Sequence, residues 1–297
     1  MIILLFDCCI LIIQIIQIIK YFILKNNKLN KLDVKVSNLC LGTDNFFSEK
    51  LKTKKKIFRL LDTSVSYGYN FFDTAESYSD GLCERVLGEF LIKNKHKKLI
   101  VATKIGPSIN FSPKKLQLSI DNCLKRLKVD VLDICYFHSG SNKKFLNDDF
   151  WNIMNKNLNQ KIKVLGLSLQ SKYLHDKDYI QIKNCKKYNI SLVNLLFNPV
   201  FPQAENRFFS ILKENKLDLI TRVPFARGDL FKNDIKFKKN ELTEVNITEA
   251  FNRIKKFKIY KNMNLNILNW VQKKSKCKSI VLGCSSIKQI KENAILK

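Results

Sequence analysis

A chain of 297 residues has room for one α/β barrel, and a hydrophobic share of 45% with only nine glycines and five prolines excludes wholesale disorder. The formal charge of +27 comes from 53 Lys and Arg against 26 Asp and Glu; it is spread along the whole chain with no basic cluster interleaved with aromatics, so no nucleic-acid partner is expected. Nine cysteines without a C-x-x-C pair read as small buried hydrophobes of a reducing, cytoplasmic compartment, and three histidines without H-E-x-x-H give no metal site.

Residues 1–24 are strongly apolar, yet Asp7, Gln14, Gln17 and Lys20 interrupt them, and they carry neither a basic leader nor a small-residue cleavage site. Two readings stay open. The segment is translated sequence ahead of the true start, which the cost of Asp and Gln in lipid favours, or it is a weak membrane anchor flanked by the lysines of residues 25–31. Residues 1–31 are therefore set apart as an extension, and the folded domain is placed at residues 32–297.

From there, short apolar runs alternate with amphipathic stretches. Strands are expected at residues 37–42, 70–75, 98–104, 131–138, 164–169, 191–197, 217–225 and 279–284; several are continuous Val/Ile/Leu runs, as suits parallel strands buried on both faces. Between them, residues 83–94 put Val86, Leu87, Phe90 and Leu91 on one helical face, and residues 112–128 do the same with Leu116, Ile120, Leu124 and Leu127. Ser112 before Pro113 forms an N-cap and first helical position. Trp151 and Trp270 fall in helical segments, where core packing is their expected use.

Eight strands alternating with helices predict a (β/α)8 TIM barrel, whose site forms at the carboxyl ends of the strands. Those ends carry Thr43, Asp73, Lys104, His138, Ser168, Asn198, Arg222 and Ser285. Any one of these suits an ordinary polar loop, but Asp, Lys and His each closing a buried run is poorly explained that way. A buried lysine needs a partner, and Asp73 is the obvious one. Tyr78 follows five residues after Asp73 as a candidate acid, although a phenol of pKa about 10 needs neighbours to act at neutral pH.

Phe72-Asp73-Thr74-Ala75 with Tyr78, then Gly81, Glu84, Leu87 and Gly88, resembles the signature of the aldo-keto reductase family. Ala102-Thr103-Lys104, Phe137-His138, Gly166-Leu167-Ser168, Pro224-Phe225-Ala226-Arg227-Gly228 and Gly283-Cys284-Ser285-Ser286 continue the resemblance to the C-terminus in order. It implies a monomeric barrel that reduces a small carbonyl substrate with a nicotinamide cofactor, without a Rossmann glycine motif. By the same resemblance Tyr78 is the proton donor, Lys104 lowers its pKa, Asp73 holds the lysine, and His138 orients the substrate carbonyl. The implied cofactor contacts are Thr43, Asp73, Ser168, Asn194, Arg222, Phe225, Gly228, Ser285, Gln289, Glu292 and Asn293, with Ser285 opening the last helix. Lys288 and Lys291 beside them favour NADP(H) over NAD(H), although the same lysines suit a solvated surface equally.

Three departures stand out. Leu169 follows Ser168 where the family usually has Asn, Arg222 takes the place of an aromatic residue that stacks on the nicotinamide, and the chain stops inside the last helix. The loops at residues 139–149 and 227–246 carry no substrate motif. A cofactor-binding regulatory protein of the same fold with little turnover is the alternative to a reductase.

Overall fold

The computed structural model describes residues 24–106, 112–138, 140–170, 174–232, 247–259 and 261–295. The apolar segment read as a start artefact or anchor therefore lies outside the described residues except for Leu24, as does most of the loop at 227–246. Among the described residues, no helix is long and apolar enough to cross a membrane.

The chain enters through a hairpin, β1 (Asn26–Lys28) paired antiparallel with β2 (Lys35–Ser37). Eight parallel strands then close into a barrel: β3 (Leu39–Gly42), β4 (Phe71–Asp73), β5 (Ile100–Ile105), β6 (Leu132–His138), β7 (Ile162–Ser168), β8 (Leu192–Leu196), β9 (Asp218–Arg222) and β10 (Ser279–Gly283), which pairs back onto β3. All eight expected strands are present, in the expected order, within three residues at each end. The helices that follow them include α1 (Lys54–Ser66), α2 (Leu82–Lys93), α3 (Pro113–Leu127), α4 (Asn142–Phe145), α5 (Asp148–Asn157), α6 (Asp176–Lys183), α7 (Ala204–Glu214), α8 (Ile247–Lys258), α9 (Met263–Ser275) and α10 (Ile287–Asn293).

Two apolar layers hold this arrangement. The inner one fills the barrel: Cys40, Phe71, Ile134, Tyr136, Val164, Leu192, Ile220 and Val281 are buried together, and Leu29, Leu32 and Val36 of the hairpin region plug its lower end. Residues 24–31 thus contribute Leu24 and Leu29 to the buried core, ahead of the boundary placed at Leu32. The outer layer lies between strands and helices, where Phe72, Phe90 and Leu127 pack with α2 and α3; each such side chain stabilises the fold by roughly 1.5–3 kcal/mol when taken fully from water. Trp151 is fully buried and stacks on Tyr188, with ring centroids 4.7 Å apart.

The helix signals operate as expected. Ser112 accepts a hydrogen bond from the Lys115 N–H at 3.3 Å, Pro113 takes the first helical position, and Lys128 ends α3 in the left-handed region at φ 56°.

The signature residues Gly81, Glu84 and Gly88 converge on one side chain and its backbone. Glu84 is fully buried and accepts from Arg126 Nε at 2.5 Å and from Thr103 Oγ1 at 2.6 Å. A Cβ on Gly88 would meet the Arg126 main-chain oxygen and sit 2.7 Å from the Leu127 carbonyl carbon; one on Gly81 would sit 2.7 Å from Arg126 Cδ. The glycines let α2 approach α3, and the buried ion pair they permit grips Thr103 of β5, one residue before Lys104.

Candidate active site at the barrel mouth

Asp73 is the last residue of β4 and is buried. Lys104 lies on the adjacent strand, one residue short of the end of β5, and is among the largest fully buried side chains of the protein. Register brings them together: Asp73 pairs with Ala102, so a lysine two residues further on projects to the same face at the mouth. Lys104 Nζ donates to Asp73 Oδ1 at 2.5 Å, to the Thr74 main-chain oxygen at 2.8 Å and to the Tyr78 hydroxyl at 3.2 Å. All three ammonium protons have acceptors, which is what permits a charge at this depth.

Tyr78 opens a short 3-10 turn, Tyr78–Gly81, in which Ser79 and Asp80 adopt φ of 48° and 52° before Gly81 at φ 80° leads into α2. Its ring lies 4.8 Å from Lys104 Nζ. Burial pushes the Tyr78 phenol above its ordinary range, and Asp73 adds to this, while Lys104 pulls the other way. The expected lowering by Lys104 is therefore present but outweighed: the phenol holds its proton at neutral pH, with an ammonium beside the oxygen that would be left after transfer.

Burial also raises the Asp73 carboxyl, against the opposing pull of Lys104. For Lys104, burial works against the charge, but Asp73 and Tyr78 more than offset it and its pKa rises.

His138 ends β6, where its strand neighbour is Ser168. Burial, then the positive charges of Lys104 and Arg222, push its imidazole down to about 3. The ring is neutral at physiological pH and offers one N–H. Between the ordinary histidine value of about 6.5 and about 3, the unfolded chain takes up a proton that the native chain refuses, so native stability falls as pH drops through that window. His138→Asn is expected to flatten this acid limb by about 1–3 kcal/mol, read from urea midpoints between pH 7 and 4. Parallel curves for the two proteins would remove His138 as the cause.

Ser168 ends β7 and pairs in register with Asn194 of β8; both are fully buried. Among the described residues, Ser168 Oγ has no hydrogen-bond partner, and the Asn194 amide meets none in full hydrogen-bonding geometry, although the Tyr136 hydroxyl faces it. A serine hydroxyl and a carboxamide left unmatched side by side cost the fold unless a ligand completes them, and a nicotinamide carboxamide carries the matching donors and acceptor. The residues present fit that group.

Other expected contacts are placed less uniformly. Thr43 follows β3 and turns its hydroxyl to Thr74 Oγ1 at 2.9 Å. Asn198 binds its own loop, accepting from the Val200 and Phe201 N–H groups at 2.9 and 3.0 Å and donating to Val223 O, so it is a loop staple. Arg222 ends β9 and donates from Nη2 to the main-chain oxygen of Leu169 at 2.5 Å. Gly228 sits in a turn at φ 93°, with open space where a Cβ would stand.

At the end of β10, Phe225, Gln289, Glu292 and Asn293 line a pocket of about 510 Å³ together with Lys261 and Asn264. Gln289 accepts from the Ser285 N–H at 2.8 Å, and Asn293 from Asn264 Nδ2 at 3.0 Å. Ser285 does not open α10: Ser286 is the N-cap, its hydroxyl accepting from the Gln289 N–H. The side chain of Gln289 folds back onto Ser285, accepting from its N–H and facing its hydroxyl, one residue before the cap. Lys288 lies 3.7 Å from Glu292, and Lys291 sits over the Tyr67 ring, so the lysine that lines the pocket is Lys261, which sequence reading did not single out. Also missed were the main-chain oxygens of Thr74 and Leu169, since a carbonyl acceptor leaves no trace in residue identity. Among the described residues, no group of three or more His, Cys, Asp or Glu is arranged to hold a metal ion.

Comparison with known proteins adds to this geometry. The sequence model of the aldo/keto reductase family matches residues 38–295. An uncharacterised oxidoreductase of Bacillus subtilis is 24% identical over 288 residues, 91% of this chain and 90% of that protein. An aryl-alcohol dehydrogenase of Pestalotiopsis microspora is 38% identical over 123 residues, 35% of this chain and 32% of that protein. Among solved structures, a holo-form aldo-keto reductase of Bacillus halodurans superposes with a TM-score of 0.74 at 22% identity, covering 91% of this chain and 90% of the other. A glycerol dehydrogenase of Gluconobacter oxydans gives 0.72 at 20% identity, covering 91% and 89%.

Proposed function

The chain belongs to the aldo/keto reductase family of oxidoreductases, and on that premise we propose that it reduces a small aldehyde or ketone, sugar-type carbonyls included, to the alcohol with NADPH, Tyr78 delivering the proton. The observation that carries this reading is the buried relay of Asp73, Lys104 and Tyr78, linked at 2.5 and 3.2 Å and open at its phenol end toward the mouth that His138 shares. The names of two relatives, an aryl-alcohol dehydrogenase and a glycerol dehydrogenase, describe the same carbonyl–alcohol couple.

Held there, a dihydronicotinamide would supply hydride to the carbonyl carbon. Negative charge then builds on the carbonyl oxygen, and the protein's task is to meet it with preorganised donors, a contribution of several kcal/mol. Tyr78 gives its hydroxyl proton to that oxygen, and the phenolate left behind is stabilised by Lys104. Asp73 keeps Lys104 charged and fixed. The neutral His138 holds the same oxygen through its N–H and does not compete as an acid, since its imidazole carries no second proton at neutral pH.

Ser168 and Asn194 would hold the carboxamide, and Phe225, Gln289, Glu292 and Asn293 the adenosine end. Lys261 in that pocket supports the 2′-phosphate form of the cofactor. The free buried thiols suit a reducing, cytoplasmic setting.

Calorimetric titration is expected to give NADPH an affinity at least about tenfold above that of NADH, the worth of one charge-assisted contact. Its oxidation should accelerate with at least one member of a panel of aldehydes, ketones and sugars. Equal affinities would overturn the choice of NADPH. Tight binding without oxidation by any carbonyl would favour a cofactor-binding protein with little turnover.

A further inference from the structure

Arg222 departs from the aromatic residue that the family resemblance leads one to expect, and its surroundings give that departure a consequence. The side chain starts at the end of β9 and reaches the Leu169 carbonyl beyond the end of β7. Strand β8 lies between those two, so the guanidinium spans the carboxyl end of β8. Register puts Arg222 on the same face as Asn194 and Ser168: Asn194 pairs with both Ser168 and Ile220, and Arg222 is two residues beyond Ile220. The cation therefore lies at the mouth beside Ser168 and Asn194, whose hydroxyl and amide lack a partner in full hydrogen-bonding geometry among the described residues.

Its anchor is a neutral carbonyl, and among the described residues no carboxylate forms an ion pair with it. Burial works against its charge and lowers its pKa, as does Arg227, while the charged and titratable groups Tyr78, Asp73 and Asp44 favour the charge. Arg222 in turn adds to the positive field at His138.

Resting on the cofactor reading above, we propose that Arg222 lies against the nicotinamide and sets the relative affinity of its two redox forms, so that the oxidised cofactor is held more weakly than the reduced one. The balance of the reaction explains why. Hydride, one hydrogen with its electron pair, passes from ring C4 to the carbonyl carbon while Tyr78 gives a proton to the oxygen, and the ring changes from neutral to cationic. An aromatic residue at this position would favour the cationic ring through its π face. A guanidinium opposes it, because like charges at contact distance repel even at the effective dielectric of a protein surface. Weakened binding of the oxidised form speeds its release, and product release is the step that limits many enzymes.

The test compares dissociation constants of NADPH and NADP+, measured by calorimetry, for the wild-type chain and for Arg222→Met, Arg222→Lys and Arg222→Tyr. The ratio of the NADP+ constant to the NADPH constant is expected to fall at least about fivefold in Arg222→Met, to fall further in Arg222→Tyr, and to stay within about twofold of wild type in Arg222→Lys. Loss of the Leu169 tether alone would weaken both redox forms alike, so an unchanged ratio in Arg222→Met overturns the proposal even where both affinities drop. In that case wild-type NADPH binding still stands and the cofactor reading survives. A wild-type chain that binds neither NADPH nor NADH would instead remove the cofactor reading itself and this proposal with it.

Discussion

Replacing Tyr78 with Phe is expected to lower the turnover of any accepted carbonyl by about a thousandfold, within the range for loss of a positioned acid, while NADPH affinity stays within about twofold. The change removes a single oxygen. The ring stays in place with its face 4.8 Å from Lys104 Nζ, and Lys104 keeps Asp73 and the Thr74 carbonyl as acceptors. Thermal stability should therefore move little, by about 1 kcal/mol or less, the net worth of one hydrogen bond. Neither His138 nor Lys104 is fitted to take over: His138 is held neutral to about pH 3, and Lys104 is pushed toward retaining its proton. Steady-state kinetics on the best substrate of the panel, with calorimetric NADPH binding on the same preparations, checks both halves. Turnover within tenfold of wild type would sink Tyr78 as the donor.

The barrel and the position of its mouth were legible because they depend on patterns that residue identity carries directly. Continuous apolar runs gave the strands, and the polar residues closing those runs gave Asp73, His138, Ser168 and Arg222 at strand ends. What sequence did not show depends on backbone or on relative height. Asn194, named through the family resemblance and not by the strand pattern, sits mid-strand in β8 yet is level with Ser168, a height that register gives. Lys104 is anchored by a carbonyl of Thr74, and Arg222 by one of Leu169, and neither acceptor is a side chain. Leu169 and Arg222 looked like two separate departures from the family pattern. They are one feature: the residue after Ser168 supplies a main-chain oxygen, which needs no particular side chain, and the arginine uses it.

The electrostatic expectation for Tyr78 was incomplete for a related reason. A lysine beside a phenol lowers its pKa, and that effect is present, but the depth of the site could not be read from spacing, and burial is the larger influence. For a reductase this order is useful. A donor must arrive carrying its proton, and a phenol already half ionised would be spent before the substrate arrives. Lys104 then acts mainly on the phenolate that forms after transfer.

Lys104→Met separates that chemical role from the structural one. It leaves Asp73 buried, and among the described residues Oδ2 of Asp73 already lacks a partner, so an uncompensated carboxylate remains in the barrel. The expected cost at neutral pH is about 3–5 kcal/mol, with turnover reduced at least as much as in Tyr78→Phe. An acid whose folded pKa is raised binds more protons folded than unfolded, so the stability of Lys104→Met relative to wild type should recover as pH falls toward and below the ordinary carboxyl value of about 4. Adding Asp73→Asn removes the charge altogether. The double variant should regain most of the lost stability at neutral pH, lose the special pH dependence, and remain inactive, because the phenolate still has no ammonium beside it. Urea unfolding across pH 4–8, paired with turnover, reads all of these outcomes. A double variant as unstable at neutral pH as Lys104→Met would show that the lysine stem's packing matters more than the stranded charge. One that recovered activity would show that Tyr78 needs no cation to give up its proton.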